Sequence, residues 1–496
     1  MTRLSEGTLG ALPPGTAIPA YDHSAVSSGI VHLGVGAFHR AHQAVYCDDV
    51  LNDGAMEWGI AGVSLRSPAM RDALEPQGRL YTLCTRSGAG DTFRVIGSLR
   101  ELVVAPEDPA RVLSLLTAPA TRIVTLTVTE KGYCHDPASG DLSIAHADIA
   151  HDLENPESPR SVPGFLVEAI RRRRADGLSA FTVLSCDNLP SNGRTAKRIL
   201  HQYAAERDPD LAAYVEAELA CPSTMVDRIV PSTTDDDRSA VAAGLGLVDV
   251  WPVMAEPFCQ WVIEDNFPAG RPHWDRYGAQ FVQEVEPYEL MKLRLLNGSH
   301  STIAYLGYLA GHETVSDAMA DKTLTALVRR LMDKETTPTL PALPEIDLDA
   351  YKDALLDRFA NPALHHRTWQ IAMDGSQKLP QRLLGTIRDR LAQKASYPVA
   401  CLAVAAWIRY TSGRDETGKP IDVRDPLAVR FARIHESAGA DPVAITNGFL
   451  AVPEVFGSDL PQDRSFVAAL TETLSGVLQK GVRAAMAATL RMDEPL

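Results

Sequence analysis

The sequence has few of the features that mark metal sites, disulfide frameworks or membrane spans. Its seven cysteines are scattered, with no CxxC pair and none of the spacing of a structural zinc site. We therefore expect reduced thiols, no bound metal and a cytoplasmic location. The longest apolar run, residues 397–408, is too short to cross a bilayer and predicts a buried helix. Residues 1–15 lack an apolar core of signal-peptide length.

Positive charge is also scarce. Lysine and arginine number 48 against 63 aspartate and glutamate residues, giving a formal net charge of -15. An acidic chain is a poor partner for nucleic acid, because phosphate neutralisation needs a basic surface. We expect a small-molecule substrate and neither a nucleic-acid nor a membrane partner. The sequence leaves the oligomeric state open, a monomer included.

What is present is a globular composition and enough chain for two domains. Hydrophobic residues make up 45% and charged residues 22% of the 496 positions. In the first half, runs rich in Val, Ile and Thr alternate with helix-like stretches at 69–74, 109–116 and 165–174. Such alternation predicts right-handed crossovers and a doubly wound parallel sheet. The predicted strands are residues 30–33, 58–65, 122–128 and 180–184.

After about residue 285 the pattern becomes helical, interrupted by a Pro-rich loop at 337–344. We therefore predict an α/β dinucleotide-binding domain over residues 1–285, with its core from about residue 28, and a mostly α-helical substrate and catalytic domain over 286–496. The predicted helices are residues 288–309, 317–333, 347–359, 378–393, 399–411, 426–437 and 466–490.

A glycine turn follows the first predicted strand, at Gly34 and Gly36. Glycines there let the backbone turn sharply and approach a pyrophosphate. His39 stands where the usual fingerprint has a third glycine, so an ordinary strand-to-helix turn remains an alternative. The second predicted strand ends without a carboxylate for the ribose hydroxyls. Arg66 offers a partner for a 2′-phosphate instead, which keeps NADP open.

The segment 289–300 has the richest chemistry in the sequence. At about 100° per residue, Glu289, Lys292, Asn297 and His300 fall within an arc of roughly 140° on one helix face. A lysine whose pKa is lowered by its surroundings can accept the proton of an alcohol without a metal. Amide groups can stabilise the resulting oxyanion. The alternative is a solvated polar face.

Five motifs then occur together, and their combination resembles the long-chain mannitol dehydrogenases, a family of polyol-specific dehydrogenases. The similarity extends from Gly29 to about Pro426. The motifs are Gly34-x-Gly36-x-Phe38-His39-Arg40-x-His42, Thr127-x-Thr129-Glu130-x-Gly132-Tyr133, Ser185-Cys186-Asp187-Asn188, Met225-Val226-Asp227-Arg228 and Lys292-x4-Asn297-x2-His300.

The resemblance implies an extended Rossmann domain followed by a helical domain, NAD as the cofactor and no zinc. It implies that Lys292 is the general base, that Asn188 and Asn297 form the oxyanion site, and that His300 orients the substrate. Glu289 would relay the proton, Asp227 would bind the polyol, and Glu130 would border the nicotinamide pocket. The predicted cofactor-binding set is Gly34, Gly36, Phe38, His39, Arg40, Arg66 and Glu130.

The substrate prediction depends on residues 367–380, which resemble the fructuronate reductases (mannonate oxidoreductases) of the family. Mannitol 2-dehydrogenases tend to carry arginine where Gln370 stands. Lys378 would contact a substrate hydroxyl or carboxylate, with Arg367 and Arg382 near it in sequence. We predict the reduction of D-fructuronate to D-mannonate, with mannitol 2-dehydrogenase or arabinitol dehydrogenase activity as the alternative. A zinc-dependent alcohol dehydrogenase conflicts with the isolated cysteines, and a non-catalytic dinucleotide sensor is a remote alternative.

Overall fold

The computed structural model describes residues 1–136, 139–343, 346–364 and 366–493. The chain divides into two compact units, Met1–Glu286 and Pro287–Leu496. The strands all belong to the first unit and are β1 Ser28–Leu33, β2 Gly59–Ser64, β3 Tyr81–Ser87, β4 Gly90–Ile96, β5 Leu99–Val104, β6 Ile123–Leu126, β7 Thr182–Ser185, β8 Thr224–Asp227, β9 Val253–Ala255, β10 Gln260–Glu264 and β11 Gln280–Val282.

Helices of the first unit lie between these strands or follow them. They are α1 Ala37–Ala41, α2 Gln43–Asn52, α3 Ala69–Leu74, α4 Pro109–Thr117, α5 Thr129–Gly132, α6 Ala147–Glu154, α7 Val162–Ala175, α8 Asn192–Arg207, α9 Pro209–Glu218 and α10 Asp235–Leu245.

The central sheet of the first unit has the order β5-β2-β1-β6-β7. Every neighbouring pair is parallel. Helices cover both faces, and adjacent strand residues therefore enter different cores: Val31 and Leu33 pack in one cluster with Phe165, whereas Ile30 packs in the other with Trp261. This sheet confirms the predicted Rossmann-type parallel fold.

Two three-stranded sheets complete the first unit, and neither was predicted. Their orders are β11-β10-β8 and β4-β3-β9. In the first of them β8 and β10 are antiparallel, with Asp227 opposite Gln260. This pairing fixes the position of Asp227, the last residue of β8.

The second unit is helical, as predicted. Within the described residues its helices are α11 Glu286–Met291 (which starts on the last residue of the first unit), α12 Gly298–Leu309, α13 Val315–Ala320, α14 Lys322–Arg330, α15 Leu348–Ala360, α16 Thr368–Ala372, α17 Gly375–Leu379, α18 Gly385–Ala392, α19 Pro398–Tyr410, α20 Ala428–Ala438, α21 Pro442–Leu450, α22 Pro453–Phe456, α23 Arg464–Lys480 and α24 Val482–Leu490.

Several predicted helices are divided, and α16, α21 and α22 were not predicted. Three π-helical segments interrupt the predicted helices 288–309, 317–333 and 378–393, namely Lys292–Asn297, Leu331–Thr336 and Pro380–Leu384. Gly481, with φ of 80°, separates α23 from α24. The predicted loop 337–344 begins with a 3₁₀ turn at Thr337–Thr339, and Pro344 lies outside the described residues.

The predicted buried helix is α19, whose Trp407 packs edge-on against Phe431 and Phe449. Across the described parts of the chain, every helix is too short or too polar to span a bilayer.

Candidate functional site

The glycine turn leads from β1 into α1, and its two glycines serve different purposes. Gly34 has φ of 93°, and a Cβ atom there would lie 2.4 Å from the carbonyl oxygen of Thr127. The turn therefore tolerates only glycine at this position. Gly36 caps α1 in an extended conformation, and a Cβ atom there would meet its nearest neighbour, the Gly34 carbonyl oxygen, at 3.7 Å. The space above Gly36 is open, as a pyrophosphate cradle requires.

His39 and Arg40 face the interior of the first unit. The His39 ring stacks on His32 with centroids 3.5 Å apart, and burial lowers the pKa of His39 well below its usual value. The Arg40 guanidinium donates to the Trp251 carbonyl over 2.7 Å and lies over the Tyr81 ring. These buried side chains support the turn. Any part of His39 and Arg40 in cofactor binding would therefore be through their backbone groups, and it stays a prediction. Phe38 is half-buried and stacks on His42.

Asp187 joins the loops that follow β6 and β7. Its carboxylate accepts hydrogen bonds from the Val128 and Thr129 backbone N–H groups and from the Tyr133 hydroxyl. Thr129 has φ of 62°, a left-handed conformation that this anchor holds in place. Glu130 and Asn188, the neighbours of Thr129 and Asp187, are exposed. The first unit thus presents both predicted polar residues at the carboxyl ends of adjacent strands.

Asp227 and Arg66 occupy different places in the same unit. Asp227 is only 5% exposed at the end of β8. Arg66 is exposed two residues after β2 and lines a cavity. Arg66 is therefore accessible to a ligand, whereas Asp227 is almost fully buried.

The predicted catalytic segment of the second unit is a π-helix. Lys292 begins it, Asn297 ends it, and His300 follows within α12. The predicted helix face assumed α-helical geometry throughout, and that assumption is wrong here, because a π-helix has wider turns with i to i+5 hydrogen bonds. Lys292 and His300 are each 9% exposed. Glu289, on α11, and Asn297 are half-buried. Short π-helical segments in α-helices are frequent at functional sites.

Gly298 allows a second π-helical segment to approach the first. A Cβ atom at Gly298 would lie 2.9 Å from the carbonyl oxygen of Arg382. The contact places the Arg382 guanidinium near the start of α12, where its Nη1 atom is 3.5 Å from the Asn297 carbonyl oxygen and 3.3 Å from Ser301 Oγ. Both are long hydrogen bonds. Burial lowers the pKa of Arg382 to about 10.

His300 is a buried imidazole near aromatic and cationic side chains. Its ring contacts Phe359, with centroids 4.6 Å apart, and meets the His366 ring edge-on at 5.4 Å. Burial lowers the pKa of His300 well below its usual value, and the charges of His366, Arg382, Arg358 and Lys378 add to the effect. The imidazole is therefore neutral and can donate or accept a hydrogen bond.

Lys378 holds the end of one helix and retains a donor. Its Nζ atom donates to the carbonyls of Ile371 and Met373, at 3.3 and 2.6 Å, around the end of α16. An ammonium group has three donors, so one remains. Partial burial, reinforced by the charge of Arg382, lowers the pKa of Lys378 to about 8. Gln370, on α16, is exposed.

The structure brings together residues that the site prediction omitted. Arg382, Arg358 and His366 share the surroundings of His300 and Lys378, yet they come from separate helices and loops. The sequence shows Arg382 as a neighbour of Lys378, but Arg382 was not among the predicted site residues, and neither were Arg358 and His366. Within the described residues there is also no group of three or more His, Cys, Asp or Glu side chains that could hold a metal ion.

Comparisons with known proteins agree with this architecture. The mannitol dehydrogenase Rossmann domain matches residues 28–276, and the mannitol dehydrogenase C-terminal domain matches residues 284–478. D-mannonate oxidoreductase of Escherichia coli (strain K12) is 47% identical over 475 residues, 95% of this chain and 97% of that protein. Mannitol 2-dehydrogenase of Aspergillus fumigatus (strain Af293) is 40% identical over 474 residues, 94% of each chain.

A solved structure extends the comparison to three dimensions. Pseudomonas fluorescens mannitol 2-dehydrogenase, in a ternary complex with NAD and D-mannitol, superposes with a TM-score of 0.86 at 40% identity. The match covers 99% of this chain and 100% of that one. Both domain models and full-length relatives are thus matched, and the chain belongs to the mannitol dehydrogenase family of oxidoreductases acting on CH–OH groups.

Proposed function

We propose that this oxidoreductase uses NAD to interconvert a sugar acid and its keto form, with D-fructuronate and D-mannonate as the pair. The first unit would hold the dinucleotide, and the second would supply the base and the selectivity for the substrate. The observation that carries the choice of substrate is the positive charge around Lys378 and Arg382.

Within the described parts of the chain, neither Lys378 nor Arg382 forms an ion pair, although both are partly buried. Asp374 and Asp425 both act on Lys378 from a distance, and Asp425 is engaged by the backbone N–H and the hydroxyl of Ser376. Partly desolvated cations without counter-ions are costly, and a bound anion removes that cost. A hexuronate carries the required carboxylate and a hexitol does not. The 47% identity with a D-mannonate oxidoreductase supports the same choice.

The surroundings of Gly34 and Gly36 fit a dinucleotide. The open space above Gly36 can receive the pyrophosphate, and Arg66 lines a cavity beside β2 that can receive the adenosine. NAD is the cofactor named in the Pseudomonas fluorescens complex. When bound, it accepts the hydride that the substrate carbon loses.

The protein's own groups would move the proton and hold the oxygen. Lys292, in its unprotonated form, would accept the hydroxyl proton as the alcohol is oxidised, and half-buried Glu289 would pass that proton to solvent. The Asn297 amide would donate to the developing oxyanion. Neutral His300 would orient a substrate hydroxyl. The roles that the family resemblance implies for Asn188 and Asp227 of the first unit stay predictions. No step requires a metal ion.

The test is a panel of kcat/KM values with NAD(H) for fructuronate, fructose, mannonate, mannitol and arabinitol. A charge-assisted hydrogen bond predicts a preference for fructuronate over fructose of at least about tenfold. Equal values, or a preference for fructose, would identify a mannitol 2-dehydrogenase instead. NADH binding without turnover of any of these compounds would identify a dinucleotide sensor.

A further inference from the structure

The first unit contains a cavity of about 760 Å³ at the edge of the parallel sheet. Leu65 and Arg66, which follow β2, form part of its wall, and Ala105 and Pro106, which follow β5, form another part. Ligands of doubly wound sheets bind outside the carboxyl ends of the strands, and pockets of this volume hold molecules of nucleotide size. The position and volume therefore suit the adenosine half of a dinucleotide.

The charges around this cavity are unusual for a site that takes only NAD. Three exposed cations line it, Arg66, Lys131 and Arg160. In the described part of the chain, none of the three side chains forms an ion pair. Asp148 is the carboxylate in the lining. A hydroxyl-binding carboxylate would be expected after β2 in a site restricted to NAD, and Arg66 stands there instead.

A buried group also points toward a ligand in the cavity. His135 is in the lining, with its side chain 9% exposed. Its Nδ1 atom is buried and has no hydrogen-bond partner among the described residues. Buried polar atoms are normally satisfied, and a ligand's ribose or base would satisfy this one.

We propose that this cavity holds the adenosine of the cofactor and that Arg66, Lys131 and Arg160 bind a 2′-phosphate, so that the enzyme uses NADP(H) as well as NAD(H). The inference rests on the proposed use of NAD(H), and it adds NADP(H) as a second cofactor. Arg66 is placed to contact the 2′-phosphate, because it follows the strand that normally carries the ribose-binding carboxylate. Lys131, on α5, and Arg160, just before α7, supply further charge.

Binding of nucleotide fragments tests the proposal without any substrate. Titration calorimetry would compare adenosine 2′,5′-bisphosphate, AMP and inorganic phosphate on the full-length protein. We expect the bisphosphate to bind at least about tenfold more tightly than AMP, as a charge-assisted hydrogen bond predicts. Arg66→Ala should remove most of this difference and leave AMP binding nearly unchanged. Lys131→Ala and Arg160→Ala should each reduce it, and the exposed Arg433→Ala of α20 is the matched control.

The proposal is overturned if AMP binds as tightly as the bisphosphate, if the lining variants weaken both nucleotides equally, or if phosphate alone binds as tightly as the bisphosphate. These outcomes are separate from the choice of substrate. Tight bisphosphate binding in an enzyme that reduces fructose rather than fructuronate would refute the substrate assignment and support the cavity assignment.

Discussion

Within the described residues, both units carry cations without an ion pair, but in different environments, and the contrast separates two kinds of specificity. Arg66, Lys131 and Arg160 of the first unit are exposed around a cavity. Lys378 and Arg382 of the second unit are partly buried, and burial lowers the pKa of each. Water and salt screen exposed charges, whereas partly desolvated charges act strongly on a ligand. We therefore expect the first unit to tolerate two cofactors and the second to discriminate sharply between acidic and neutral substrates.

The largest expected effect is on the chemistry of the second unit. Lys292→Ala should lower kcat by about 10²–10⁴-fold, as loss of a general base does, and leave the affinity for NADH nearly intact. Steady-state kinetics and NADH fluorescence titration would measure the two quantities. Wild-type turnover by the variant between pH 6 and pH 10 would show that Lys292 is not the base.

The glycine turn gives a matched pair in the first unit. Gly34→Ala would place Cβ 2.4 Å from the Thr127 carbonyl oxygen at a φ of 93°, so we expect a loss of about 1–3 kcal/mol in the free energy of unfolding. Gly36→Ala meets no such obstacle and should unfold within about 0.5 kcal/mol of the wild type while binding NADH more weakly. Urea denaturation and fluorescence titration measure both. If Gly36→Ala binds NADH as tightly as the wild type does, the pyrophosphate does not lie above Gly36.

A smaller effect follows from the pKa of Lys378, which burial lowers to about 8. The amine is charged below that pH and neutral above it, so its attraction for a carboxylate declines as the pH rises. The ratio of kcat/KM for fructuronate to that for fructose should therefore fall between pH 7 and pH 9.5. The ratio cancels the effects of other titrating groups, because those groups affect both substrates. Lys378→Arg keeps its charge over this range and should flatten the profile. A flat profile in the wild type would contradict the assignment.

The smallest expected effect is that of chelation. The proposed base is an amine, and no step uses a metal ion, so prolonged dialysis against EDTA should leave kcat and KM unchanged. Loss of activity that zinc restores would replace the lysine mechanism with a metal-assisted one.

The general architecture could be predicted because it follows from local patterns. Alternating strands and helices predicted the parallel sheet, and the position of Gly34 directly after a strand predicted the turn. The π-helical segments could not be predicted in this way, because an apolar periodicity near 3.6 residues does not distinguish a local π-turn from an α-turn. The Lys292–Asn297 segment therefore differs from the helix face that the sequence suggested.

Contacts that depend on how separate elements pack could not be predicted from the sequence either. The stacking of His39 on His32 depends on the packing of α1 against β1. The convergence of Arg66, Lys131 and Arg160 on one cavity depends on three separate segments of the chain. Sequence motifs named single residues, whereas the position of Arg382 beside Asn297 and Ser301 requires the close approach that Gly298 permits.

The most direct test of the account compares the two substrates in Arg382→Met, a change that removes the charge and keeps much of the apolar side chain. The wild type and the exposed control Arg433→Gln should prefer fructuronate to fructose by at least about tenfold in kcat/KM. In Arg382→Met the ratio should fall toward one through loss of activity on fructuronate, with activity on fructose largely kept. An unchanged ratio, or an equal loss on both substrates, would contradict the claim that partly buried cations of the second unit select an acidic substrate.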